Sequence, residues 1–118
     1  MQEQEAQGVK VEEIETVTDR VDTEPEPVGG LAAIQAAVQQ PEEVWKENQS
    51  GTAVVEARIS SNGRVSGTRV VNSSGFPGMD SEAMLAVARV IWKPGRRRGV
   101  PIETTVQVQV HFAPSGVE

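Results

Sequence analysis

The sequence predicts an α+β domain: a two-layer sandwich with a three-stranded antiparallel sheet and two helices on one face, in the order α-β-β-α-β. Three observations predict it. Residues 105–112 alternate polar and apolar side chains, and Ile102 and Thr104 extend the row of Val106, Val108, Val110 and Phe112. Residues 52–59 alternate in the same way and run into Asn62-Gly63. The segments before and after that pair carry apolar residues at helical spacing. Period two puts successive side chains on opposite faces of a strand, whereas i, i+3, i+7 spacing puts them on one face of a helix. Two layers are the smallest arrangement that buries one face of each.

Gly29-Gly30 marks the start of the domain, which the sequence places at 29–118. Leu31, Ile34, Ala37 and Val38 share one helical face. Pro41 interrupts it and suits the first position of a further turn, with Val44 and Trp45 as its apolar side. In the first strand Ala53, Val55, Ala57 and Ile59 point one way. Asn62-Gly63 is a hairpin signal, and the return strand runs over 64–72 with Gly67 as a candidate bulge. Ser73-Ser74-Gly75 begins a loop. Asp80 is the expected helix cap, with Met79 and Met84 as a hydrophobic staple around it. Ala83, Met84, Val87, Val90 and Ile91 make the helical face, and Pro94-Gly95 stops it. A basic turn follows, then the last strand.

Residues 1–28 read as an acidic disordered linker. They carry nine acidic and two basic side chains and end in Glu24-Pro25-Glu26-Pro27. Val9, Val11, Ile14 and Val17 offer only a transient strand, because so little apolar surface does not offset the entropy of ordering. The remaining 90 residues are nearly balanced, with eight acidic and nine basic side chains. Overall acidity argues against a nucleic-acid partner. The chain has no cysteine, so thiol and disulfide chemistry are absent. No signal peptide and no apolar run of spanning length are visible, so an anchor for membrane work would lie outside this chain.

The residues do not predict an enzyme, a metal or a cofactor. His111 is the only histidine, and its parity places it on the outward face of a strand. It has no second His or Cys to complete a zinc set. Ser73 and Ser74 suit a turn better than a nucleophile, and Glu42-Glu43 after Pro41 suit the positive end of a helix. Arg96, Arg97 and Arg98 are open to three readings: phosphate contact with nucleic acid or lipid, a solvated turn, or contact with an acidic partner.

The last strand is the candidate binding surface. A three-stranded sheet leaves two edges, and natural edges are usually blunted by Lys, Pro or bulges. Thr104, Thr105, Val106, Gln107, Val108, Gln109 and Val110 contain none of these. An open edge of this kind accepts an extended peptide as an added strand. The same edge could instead hold a second copy of the chain as a homodimer.

Together these motifs resemble one family. Gln39-Gln40-Pro41, Gly51-Thr52, Asn62-Gly63-Arg64-Val65, Ser73-Ser74-Gly75, Met79-Asp80 with Ala83, Trp92-Lys93-Pro94 and Gly99-Val100-Pro101 stand in the order and spacing of the C-terminal domain of TonB-type energy transducers, over about 29–115. The resemblance implies a periplasmic domain, anchored in the inner membrane in the full-length protein. It implies capture of the TonB-box peptide of a TonB-dependent outer-membrane transporter, and coupling to an ExbB/ExbD-like inner-membrane complex through an anchor absent from this chain. It places the peptide on residues 104–110, with Gln39 and Gln40 as accessory contacts. The competing expectation is a free-standing cell-envelope interaction or dimerisation domain that uses the same edge.

Overall fold

The computed structural model describes residues 9–39 and 50–113. The turn expected around Pro41, Val44 and Trp45 lies outside the described residues, as do Gln40 and the tail Pro114-Ser115-Gly116. The fold is α+β, with two helices among the described residues and antiparallel strand pairing throughout.

The main sheet has four strands rather than the expected three. Strand β1 (Val9–Thr16) comes from the segment read as linker. β3 (Gly51–Ile59) and β4 (Val65–Asn72) form the hairpin, and β8 (Thr104–Phe112) is the last strand. Their order across the sheet is β1-β8-β3-β4. The edges are therefore β1 and β4, and β8 is central. Four small strands serve as struts: β2 (Glu26–Pro27) pairs β5 (Trp92–Lys93), and β6 (Gly95–Arg97) pairs β7 (Val100–Ile102).

Both helices cover the same face. α1 (Leu31–Ala37) follows Gly30 and sends Ile34 into the core, with Val38 beside it. α2 (Pro77–Arg89) buries Met79, Ala83, Ala86 and Val87. Against them stand Ala53, Val55, Ala57 and Ile59 of β3 and Val106, Val108, Val110 and Phe112 of β8, all with 0 % exposure. The alternation legible in both strands is thus the inward row of the sheet.

The hairpin forms where Asn62-Gly63 predicts it. Ser60 N–H donates to Arg64 O at 2.8 Å, and Gly63 N–H donates to Ser60 O at 2.9 Å. Gly63 has φ 86°, and a Cβ there would lie 2.2 Å from Trp92 O, so only glycine lets the loop abut the Trp92 backbone. Near Gly67 the β3–β4 register shifts between Arg58 and Ile59, the bulge that glycine suggested.

Three local expectations are corrected. α2 starts at Pro77 with Phe76 as its cap, so Asp80 lies in the first turn and Met79 is core rather than staple. Proline suits the first helical position because its missing N–H would have no partner there. The helix ends at Arg89, where Val90 turns extended, and Ile91 is 47 % exposed instead of completing a helical face. The basic turn is a two-residue hairpin: Arg98 (φ 53°) and Gly99 (φ 79°) both take the left-handed conformation that joins β6 to β7.

The linker expectation fails for residues 9–28. Val11 is 3 % exposed, and Pro25 and Pro27 are buried. Order comes from tertiary contact: an arm with few apolar residues gains a ladder of hydrogen bonds, interrupted once after Val11, by lying along β8. The folded unit therefore begins by residue 9 and not at 29.

Candidate functional site

β8 joins two ladders of different quality. Its pairing with β3 runs from Gly51 opposite Phe112 to Ile59 opposite Thr104 with no register shift. Its other flank, expected to be vacant over residues 104–110, is occupied by β1. Val9 faces Phe112, Val11 faces Val110, Ile14 faces Val108 and Thr16 faces Val106. A shift between Val11 and Glu13 moves the inward row from odd to even numbers. That bulge lets the irregular spacing of Val9, Val11 and Ile14 cover one face. Glu13 and Glu15 then point to solvent, opposite Gln109 and Gln107.

The vacancy of the last strand is accordingly overturned. Thr104, Val106, Val108 and Val110 are core residues, while Thr105, Gln107 and Gln109 show only part of their side chains on the outer face. β1 pairs with β8 because β8 is flat and regular, the same property that suggested a peptide-accepting edge.

Beyond β1 the arm stays attached. Val17 N–H donates to Thr105 O at 2.8 Å, and Thr105 N–H donates to the Thr18 hydroxyl at 2.8 Å, so a side chain takes the place of the next ladder carbonyl. The arm then crosses the basic hairpin. Arg97 donates through Nε to Arg20 O at 2.9 Å and through Nη2 to Asp19 O at 3.4 Å. Arg98 N–H donates to the Asp22 carboxylate, and Thr23 bridges Arg96 through the backbone. Arg96 itself donates to Gly99 O at 2.9 Å. The basic turn thus holds the arm through main-chain carbonyls, with one carboxylate accepting from the Arg98 backbone.

Gln39 is exposed at the end of α1, and its N–H donates to Glu82 Oε1 of α2 at 3.0 Å. Glu82 also meets Arg89 at 3.5 Å, and Arg89 donates to Ala37 O at 2.8 Å. Gln39 is therefore fixed to the helical layer rather than to the sheet.

Both true edges are blunted. On β1, the Val11 N–H is taken by Gln35 Oε1 of α1 at 2.9 Å, beside the bulge. β4 carries register shifts near both ends, at Val54/Val55 and Arg58/Ile59 of its partner strand. Bulges and capped donors are the usual defences against edge-to-edge pairing. On the outer face, Val17, Thr105, Glu56, Arg58 and Arg69 surround a shallow concavity of about 390 Å³. Glu56 and Arg69 are paired across it at 2.7 Å.

Asp80 is held away from its ordinary value. Burial pushes its carboxyl up, but hydrogen bonds from the Ser73 hydroxyl and from the Ser74 N–H and hydroxyl together bring it below the usual range. Its role is to fix the loop before α2. His111 sits outward beside the Thr52 hydroxyl. Among the described residues no three His, Cys, Asp or Glu side chains gather as a metal-ligand group, and no helix is long and apolar enough to cross a membrane.

The sequence reasoning missed β1 and its anchors. The signal was present as Val9, Val11 and Ile14, but only a bulge makes those positions equivalent.

The class is therefore a small α+β domain in which an N-terminal arm completes the sheet beside its C-terminal strand. The description "Gram-negative bacterial TonB protein C-terminal" matches residues 36–114, and the chain belongs to this TonB C-terminal family. No curated protein matches it.

Proposed function

We propose that this chain is the periplasmic protein-binding domain of a TonB-type energy transducer, acting by binding and not by catalysis. In this reading it captures the TonB-box peptide of an outer-membrane transporter by strand addition, in support of energy-dependent uptake. Coupling to an ExbB/ExbD-like inner-membrane complex belongs to the same reading. Family membership supports the general role. The observation that carries the specific one is β8 itself: nine residues in unbroken register with β3, with a second flank already holding an extended segment. A flank that pairs with seven residues of its own chain has the geometry that strand addition requires. The two outer edges, with their bulges and capped donor, suit it less.

Homodimerisation through a vacant β8 loses its basis, since the flank is covered within one chain. Titration of ¹⁵N-labelled protein with a TonB-box-like peptide tests the proposal. Amide shifts are expected along residues 104–110 and along β1. Shifts confined to Arg96, Arg97 and Arg98 would overturn it.

A further inference from the structure

We propose that β1 is a resident strand that an incoming peptide replaces, and that its side-chain pattern is the imprint of the partner this flank accepts. The inference rests on the peptide-capture reading and adds to it a partner chemistry and a mode of control.

Two observations make β1 the exchangeable member of the sheet. First, its hold is partial. Of its inward row only Val11 is fully buried, whereas Val9, Ile14 and Thr16 are half-buried, and the ladder is broken by the bulge after Val11. The facing row on β3 is wholly buried and its ladder to β8 is unbroken. Second, the arm has a place to stop. Residues 19–23 are tied to the basic hairpin, and Pro25 and Pro27 are buried beyond them. Departure can therefore end near Thr18 while residues 19–27 stay attached, and the core gives up Val11 and the partly buried Val9 and Ile14.

When β1 leaves, β8 presents Val106, Val108, Val110 and Phe112 beside a row of free main-chain groups. The occupant that fits is an extended peptide of another protein. It needs β-branched or other aliphatic side chains at alternate positions, to fill the places of Val11, Ile14 and Thr16. The intervening positions face Gln107 and Gln109, which are neutral, so either sign of charge is tolerated there. The arm competes as a tethered ligand, at an effective concentration on the order of millimolar. Apparent affinity for the partner is lowered by the fraction of time the flank is closed.

The test locks and loosens the arm in the full chain. Glu15 and Gln107 face each other on the solvent side of the ladder, and the sequence has no cysteine. Glu15→Cys with Gln107→Cys therefore gives one defined disulfide, at a Cα separation that paired strands supply. The probes are a fluorescent peptide copying residues 9–18 and a TonB-box-like peptide. Amide signals of β3 and α2 report that each variant is folded. The oxidised form is expected to bind neither probe, reduction to restore binding, and Ile14→Asp in the otherwise native chain to tighten it at least about tenfold. Equal binding by the oxidised and reduced forms overturns the exchange while leaving peptide capture at another surface. A covalent dimer on oxidation also overturns it, because the flank then takes a second copy's arm. Absence of binding to every form, the loosened variant included, removes the capture reading itself.

Discussion

β1 and β3 flank the same strand and are built differently. β3 places four apolar side chains fully in the core and pairs with β8 residue for residue. β1 places one there, breaks register once, and gives its outward face to Glu13 and Glu15. The β1 ladder is interrupted once and the β3 ladder is not, but one interruption is the smaller part of the difference. Apolar burial is the larger part, because it supplies most of the free energy that holds a strand down, at about 25 cal/mol per Å². A central strand can thus have one permanent neighbour and one that opens locally at modest cost.

The comparison is sharpest between Ile59 on β3 and Ile14 on β1. Ile59→Ala is expected to cost about 2–5 kcal/mol of unfolding free energy, the range for a buried isoleucine, while Ile14→Ala costs about 1 kcal/mol or less. Urea denaturation measures both. Hydrogen exchange should agree, with the amides of Glu13 and Glu15 opening well before those of Val55 and Ala57. Equal costs in the two strands would erase the distinction on which arm exchange depends.

Next comes the joint that keeps the β3 side rigid. Gly63→Ala forces a Cβ against Trp92 O and into a left-handed backbone, so a loss of more than about 1 kcal/mol is expected in the same assay. The chemical shifts of β1 should hardly move. Loss of β1 pairing in that variant would mean that the two flanks are coupled.

The smallest effect concerns pH. The folded-state carboxyl of Asp80 is depressed, so its contribution is present above the model-compound value of 3.8 and is lost as pH falls through the folded value. Asp80→Asn should therefore flatten the stability profile below about pH 4 and leave the β1 amides unchanged. An unchanged profile would show that the Ser73 and Ser74 hydrogen bonds do not favour the charged form.

The hairpin and β8 were legible because their patterns are strict. Ala53, Val55, Ala57 and Ile59, like Val106, Val108, Val110 and Phe112, keep period two without exception, and Asn62-Gly63 fixes the turn between β3 and β4. α2 was legible as a helix but not in its limits, since Pro77 starts it and Val90 leaves it by backbone geometry that apolar spacing does not report. Arg96, Arg97 and Arg98 stood out as charge, yet the partners of Arg97 and Arg98 lie more than 70 positions away in sequence, at Arg20, Asp19 and Asp22. No local pattern announces such a pairing.

By itself the sequence determined the α+β class, the hairpin, the inward face of β8 and the family. These depend on interactions near in the chain and on a hydrophobic period that a single segment carries. Only the tertiary structure decided that β8 is central and that the acidic N-terminal arm is part of the fold. Whether a strand is an edge is a property of what lies beside it, and here that neighbour is irregular in sequence and becomes a strand only when β8 offers it hydrogen bonds.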